Sequence, residues 1–559
     1  MIRNFEQSVF ELQKMGGGVP VDRLSRCRYP GFMKEPGRFN VLLLFLILIS
    51  LCRLEARSVH VPLGHRVYDF LDRMETRGLL IHVKSGSRPF TRDHCAVMVA
   101  RLDSLSLRNP ADFTRVDRRL LERLKGEFRD ELQNRGLSIS KRDKEPHFYS
   151  RRFDTSTVHI DVLFGGELIR RGKGADPSER EINRPHYGAI LRGNYRKIGF
   201  YSENRIYSEW GSRTYVSNYS PAQGYPMGAE HDSSRGTWDV SESHVTFQVG
   251  GVDFSWGRDR IAWGPARTGL IFSGKAPAFD LFSLRIPIGP AVFTWLHGEL
   301  RSDFSHRWIA AHRLEVSLRN NLNIGVNEGV VYGRRGMESA YLIPILPYLT
   351  AEHTLGDRDN LVMGLDVNWR PFRNWKLYGD FFIDDLFAPW ELFGNFYGNK
   401  LAFTIGLHRT NVFRLPDTDL RCEYTRIEPY VYTHKDPVNI FEHYDQGLGH
   451  FLHPNSDRLW IETIHRPCLA VEAGLFLEAI RRGAGDRRIS DAERQDDTKR
   501  FLDGTILKTV RYGIFAAYEP FRDLFFRGEW IFVARRNQQW ISGAHADWFE
   551  ARLSLNWNW

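Results

Sequence analysis

Phe549–Trp559 reads FEARLSLNWNW, with Phe, Ala, Leu, Leu, Trp and Trp on odd positions and Glu, Arg, Ser, Asn and Asn on even ones. Side chains of a β-strand point alternately to its two faces, so this segment predicts a strand with one apolar and one polar side. The alternation is unbroken and takes in the last residue of the chain. Termini ordinarily fray, and an apolar stripe closing on two tryptophans is an aggregation hazard in water. The segment therefore needs something apolar to lie against.

The same period recurs after Pro146. Leu314, Val316 and Leu318 alternate with Arg313, Glu315, Ser317 and Arg319, and Leu361, Met363, Leu365, Val367 and Trp369 with Gly364, Asp366 and Asn368. Leu401–Leu407, Leu469–Leu477 and Leu524–Phe532 repeat the pattern between clusters of Asn, Asp, Gly and Pro. Strands of a soluble sandwich are mostly about five or six residues long, whereas roughly ten residues cross a bilayer at a tilt. Tryptophans collect at segment ends (Trp369, Trp375, Trp390, Trp557, Trp559), as an interfacial girdle requires. The opposite faces carry charges of both signs, which a sandwich core excludes. These features predict a mainly β chain folded as a large antiparallel transmembrane β-barrel. It must close, because an open edge in lipid leaves backbone groups unsatisfied. Phe549–Trp559 is then the closing strand, and its terminal aromatic resembles the C-terminal signal of bacterial outer-membrane barrels.

Over its 559 residues the chain is 13% aromatic, with a mean hydropathy of −0.40. That excludes a bundle of membrane helices. The one long apolar run, Val41–Leu51, is too short to span; with Lys34 and Arg38 before it and Ala56 after, it has the layout of a secretory signal. Met33 is read as the true start and residues 1–32 as a gene-model extension, an uncleaved interfacial anchor being the alternative. Residues 1–56 thus comprise the extension and signal. Cys52 follows a poor lipobox, and Cys95, Cys422 and Cys468 remain, an odd set without metal-like spacing. Parity places Cys422 on the lipid side and Cys468 out of phase, so no disulfide joins them. The net charge is +9, and residues 57–145 hold much of the excess. An exported chain meets no nucleic acid, and the excess reads as a solvated face.

Residues 57–145 have helical spacing. Val67, Phe70, Leu71 and Met74 form one stripe, stopped at Gly78; Thr91 caps a second segment; Thr114 and Asp117 form a capping box for a third, which runs through Leu120, Leu124, Phe128 and Leu132 to Gly136. The expected organisation is a helical bundle at 57–145 and a barrel at 146–559.

Several segments resemble the Wzi-type capsule assembly family of the Gram-negative outer membrane. They are VPLGHRVYDFLDRMETRGLL (Val61–Leu80), SRPFTRD (Ser87–Asp93), GRDRIAWGPARTGLIFSGKAPAFD (Gly257–Asp280), NEGVVYGRRGMESAYLIPI (Asn327–Ile345), DNLVMGLDVNW (Asp359–Trp369), LYGDFFIDDLF (Leu377–Phe387), EYTRIEPYVYTH (Glu423–His434) and LGHFLHPNSD (Leu448–Asp457). Ala266 departs from the glycine expected after WGP. The resemblance implies a barrel of eighteen strands with a periplasmic helical bundle. It also implies a lectin-like role, without catalysis, cofactor or metal, in binding capsular polysaccharide or exopolysaccharide at the cell surface. The implied partners are surface polysaccharide, outer-membrane lipid and lipopolysaccharide, and the barrel-assembly machinery, with the protein a monomer.

The candidate polysaccharide-binding residues are Trp256, Arg258, Asp259, Trp263 and Arg267, with Glu328 and Tyr332 from the Asn327–Ile345 segment. Flat aromatics suit sugar faces, and arginines pair bidentately with uronates. The same residues also fit a strand end with girdle tryptophans and an internal ion pair tied by a Gly-Pro turn. Asp384 and Asp385 point to opposite strand faces, so they cannot converge on one glycosidic bond. His434, Glu442, His443, Asp445, His450, His453 and Asp457 offer ligands for a cation, but no His/Glu pair has helical ligand spacing, and they read as a flexible polar loop. No hydrolase, metalloprotease or nucleotide motif is present. The alternative function is a porin-like diffusion channel, and a hydrolase is the third. Inward Arg313, Glu315, Arg319, Asp366, Arg421, Glu423, Arg527 and Glu529 mix signs, which suits a cross-linked interior better than an open bore.

Overall fold

The computed structural model describes residues 58–137, 147–154, 156–212, 235–302, 306–387, 390, 392, 394–485, 489–490 and 497–559, with backbone alone at 54–55 and 225–226. The expected signal and Cys52 lie outside these residues, as do the expected boundaries at 56/57 and 145/146. Helices and barrel belong to one compact unit, Arg53–Trp559.

Eighteen long antiparallel strands form the wall. They are β1 (Ser156–Arg171), β2 (Glu181–Tyr195), β3 (Ile198–Gly211), β4 (Arg235–Val249), β5 (Val252–Asp259), β6 (Phe279–Ile288), β7 (Ala291–Leu300), β8 (Arg307–Arg319) and β9 (Leu322–Gly333). β10 (Asn360–Trp369), β11 (Trp375–Leu386), β12 (Asn399–Thr410), β13 (Thr418–Ile427), β14 (Ser456–Cys468), β15 (Val471–Arg482), β16 (Leu507–Phe521), β17 (Leu524–Arg536) and β18 (His545–Asn558) follow. Each pairs with the next, and β18 pairs with β1 from Glu550↔Arg171 to Asn558↔Leu163, which closes the barrel. Short turns such as Gly250-Gly251, whose φ values of 56° and 83° glycine adopts without cost, gather at one end. The long connections lie at the other.

The predicted parity holds around the wall. Phe164, Val326, Leu365, Ile405, Leu475, Ile514, Trp530, Phe549 and Leu553 are exposed on the outside, while Arg313, Glu315, Asp366, Asp380 and Glu423 are buried inside. A continuous apolar exterior marks this as an outer-membrane barrel. No helix among the described residues is long and apolar enough to cross a membrane. Cys95, Cys422 and Cys468 are free thiols.

Among the described residues, three pieces of chain fill the interior. The first is the helical bundle at the short-turn end: α1 (Arg66–Thr76), α2 (Arg92–Arg108), α3 (Arg115–Glu127) and α4 (Arg129–Asn134). Thr91 caps α2 by accepting the His94 N–H, and the Thr114–Asp117 capping box opens α3. The third helical segment is not continuous to Gly136. It breaks at Phe128 (φ −90°, ψ 24°), which turns into the bundle core beneath the Arg92 guanidinium. The polar side of α1 docks on the wall through buried ion pairs. Arg73 binds Asp117 (2.7 Å), Asp417 (2.9 Å) and Asp419 (3.1 Å); Glu75 binds Arg370; Asp72 binds Lys376, Arg421 and His408. Burial alone would raise the Asp72 carboxyl, but Lys376, Arg421 and His408 outweigh it and hold it well below the usual range.

The second and third pieces are the connections 260–278 and 428–455. Both fold inward from the long-loop end. Trp263, Leu270, Ile271 and Phe272 from one, with Val431, Tyr432, Phe441 and Leu448 from the other, join wall residues such as Leu296, Ile309, Val362 and Phe382 in one apolar core. The flexible polar loop expected around His434–Asp457 is therefore corrected: Glu442, His443 and His450 are buried, and His443 Nδ1 accepts the Arg301 N–H (3.0 Å). The interleaved Tyr432, Phe441 and Leu448 follow neither a helical nor a strand period, so their inward pull was hidden. The 260–278 connection also adds a short strand to the bundle, Ala262↔Arg88 and Trp263↔Ser87, so bundle and loops form one plug.

Candidate functional site

The fold disperses the predicted site residues. Trp256 and Arg258 stand on the outer face of β5; Trp256 is 66% exposed, and Arg258 binds Asp280 bidentately at 2.7 and 2.9 Å. Asp259, one residue on, faces inward. Trp263 is 2% exposed and packs edge-on to Phe272 inside the plug. Glu328 and Tyr332 face outward on β9. Glu328 accepts the N–H groups of Tyr348 and Leu349, both at 2.8 Å, at the start of helix α5 (Tyr348–Leu355), and the Tyr332 hydroxyl accepts the Glu338 N–H. Arg267 alone of the set reaches solvent from inside the barrel. Neighbours along a strand alternate faces, so a contiguous motif could not form a contiguous site.

Asp259 anchors a cluster with His60 and His244. Its Oδ2 lies 2.7 Å from His60 Nδ1 and 3.8 Å from His244 Nδ1. His244 Nε2 accepts the backbone N–H of His60 at 3.1 Å, so the neutral ring carries its proton on Nδ1. A cation would need that lone pair. The arrangement instead ties the chain before α1 to the wall.

A second constellation occupies the inner wall of β14–β18 at the long-loop end. Inward positions on these strands carry Arg458, Trp460, Glu478, Arg511, Arg535 and Trp548, and Arg267 and Lys275 reach them from the 260–278 connection. Arg458 (2.7 Å) and Arg511 (3.1 Å) share the one carboxylate of Glu478. Arg267 binds Glu462 (3.1 Å) and lies over the Trp460 ring at 4.8 Å. Arg535 lies over Trp548 at 5.1 Å and makes no ion pair among the described residues. Burial lowers the Lys275 ammonium, and the charges of Arg267, Arg260 and Arg458 lower it further. Among the described residues, cations here exceed their carboxylates, and the Arg267 and Arg511 side chains are 45% and 30% exposed. Phe451 and Trp540 stand exposed nearby, beneath the guanidiniums of Arg458 and Arg482. Such a vestibule can take an anionic ligand through charge-assisted bonds and offer its sugar rings aromatic faces. Sequence reasoning missed Arg458, Arg511 and Arg535. Their shared inward parity, one to four residues from the long-loop ends of β14, β16 and β17, was the available signal.

Residues 191–466 match the family model of the capsule assembly protein Wzi. Over those residues, just under half of its length, the chain is similar to the Wzi family. None of the curated protein sequences matches it. Among solved structures, Escherichia coli Wzi, described as a carbohydrate-binding outer-membrane β-barrel involved in group 1 capsule assembly, aligns with a TM-score of 0.55 at 12% identity, over 90% of this chain and 98% of that one. At that identity the likeness establishes the Wzi fold. Pseudomonas aeruginosa OprD aligns at a TM-score of 0.42 and 11% identity, over 72% of this chain and 95% of that one. Acinetobacter baumannii OccAB1 gives 0.44 and 10%, over 72% and 96%. Those two scores are too low to argue from. Within the Wzi-type barrel, the matched residues 191–466 include the inward connections 260–278 and 428–455.

Proposed function

We propose that this Wzi-like barrel is a non-catalytic receptor that retains acidic capsular polysaccharide or exopolysaccharide at the cell surface. The observation that carries the reading is the surplus of cations, among the described residues, in the long-loop vestibule of a plugged barrel, where Lys275 and Arg535 meet no described carboxylate in an ion pair and Arg458 and Arg511 share one. Short turns are periplasmic and long loops extracellular in barrels of this kind, so the helical bundle lies on the periplasmic side. The protein works as a monomer in lipopolysaccharide after insertion by the barrel-assembly machinery. A diffusion channel is disfavoured by the apolar plug.

A single saccharide contact is weak, because its hydrogen bonds replace bonds to water. A long polymer is held by many such contacts at once. Deleting the gene should leave total polysaccharide unchanged and move it from cells into the medium. Lys275→Gln, Arg511→Gln and Arg535→Gln should each lower the cell-bound fraction partly and together lower it further. An unchanged cell-bound fraction in the deletion strain would end this reading.

A further inference from the structure

The 334–359 connection between β9 and β10 touches the 428–455 connection at its ends, where Arg334 pairs with Asp436 (2.9 Å) and the Arg358 C=O accepts from Asn439 Nδ2 (2.9 Å), but between these points it does not enter the barrel. It lies along the outside of the wall, over Trp295, Ala310, Val330 and Tyr332. We infer that its Leu342–Leu349 run is a lipid-embedded element whose exposed side takes the acyl chains of the leaflet at the long-loop end.

Its inner side is fastened by polar contacts that suit a medium without water. Glu328 on the wall pairs with His312 (3.0 Å), and both point outward, where they would otherwise meet hydrocarbon. α5 covers the pair. Pro347 at its N-cap supplies no side-chain cap, and Glu328 instead accepts the N–H groups of Tyr348 and Leu349. The Tyr348 ring stacks on His312 at 4.5 Å, and its hydroxyl accepts the Trp295 Nε1–H at 2.8 Å. The N–H groups of Tyr341, Ile343 and Leu346 also find acceptors within the segment, and Pro344 and Pro347 have none to satisfy.

The outer side is apolar over Leu342–Leu349 and turns polar beyond it, at Thr350, His353, Asp357 and Arg358. Leu342–Leu349 reads LIPILPYL, and Leu342, Ile343, Ile345 and Leu349 are exposed, Ile345 by 81%. In water such a run would be an aggregation liability. Here it continues the lipid-facing band carried by Val326 and Leu365 on the adjoining strands. That continuity selects lipid over water or a second copy of the chain.

Site-directed spin labelling tests this in the full chain reconstituted into lipopolysaccharide-containing liposomes. A nitroxide is placed at Ile345→Cys, in a background of Cys422→Ser and Cys468→Ser. Val326→Cys serves as the lipid reference and Lys435→Cys as the aqueous one. Leu342→Cys is a second reporter should the first disturb folding, which heat modifiability reveals. The expected result is an oxygen-to-nickel-chelate accessibility ratio close to that at Val326 and several-fold above that at Lys435. A ratio matching Lys435 would overturn the proposal, since the segment would then be solvated. Spin–spin broadening between labels, with access to neither probe, would overturn it in favour of contact between copies.

Discussion

Trp559 and Val162 exchange both backbone hydrogen bonds, Val162 N–H to Trp559 C=O at 2.8 Å and Trp559 N–H to Val162 C=O at 2.9 Å. The final residue is thus a rung of the β18–β1 seam that closes the barrel, and its ring stacks on Trp557 at 5.2 Å. Removing Asn558 and Trp559 deletes that rung and one ring of the stack at the short-turn edge. The truncated chain should fail to appear in outer membranes as a heat-modifiable species. Its appearance there at normal levels would show that the seam closes without them.

The docking of α1 depends on Arg73, which sits among Asp117, Asp417 and Asp419. Arg73→Ala leaves these carboxylates facing one another without their main counter-charge. Breaking a buried pair costs about 3–5 kcal/mol. The readout is Cys95, fully buried in the bundle, in a chain carrying Cys422→Ser and Cys468→Ser. Thiol labelling should be at least tenfold faster in Arg73→Ala than in its parent.

Asp130 on α4 hydrogen-bonds His159 on the inner wall at 2.8 Å. Burial alone would raise its carboxyl, but the bond and charge of His159, then Arg152, bring it down to about 2. A folded-state value depressed below the unfolded one of about 3.9 gives stability that is present above that pH and lost as pH falls toward the folded value. The bundle should therefore loosen between about pH 4 and about pH 2, by about 1–2 kcal/mol from this group after solvent screening. Asp72, shifted the same way, acts in the same direction. Cys95 labelling by dithiodipyridine should accelerate across that window, and Asp130→Asn should flatten the dependence.

Gly264 lies at the plug's turn with φ +99°, and a Cβ there would sit 2.7 Å from Asp380 Oδ1. Gly264→Ala combines backbone strain with overpacking, costing about 1–3 kcal/mol each. Its unfolding midpoint should fall while strand content is retained. In planar bilayers the parent should show no steady open pore, whereas a chain lacking residues 262–274 should conduct. Steady conductance from the parent would revive the channel reading.

The sequence by itself determined the wall. Strand identity, which face meets lipid, the need for closure and the closing role of Phe549–Trp559 all follow from a period of two, because a strand's faces are assigned by residue parity alone. The caps at Thr91 and Thr114 were legible for a similar reason, since each is satisfied within a few residues of itself. What fills the barrel was decided only by tertiary structure. Trp263, Tyr432 and Phe441 lie on connections with no period, and their burial depends on other connections arriving at the same place. The site divides in the same way. Trp256, Arg258 and Asp259 are consecutive or nearly so yet face opposite sides of the wall, while Arg267, Arg458, Arg511 and Arg535 meet across long separations. Charge becomes a site only where different strands aim it at a common space, and that convergence is a property of register and closure that no single stretch of the chain contains.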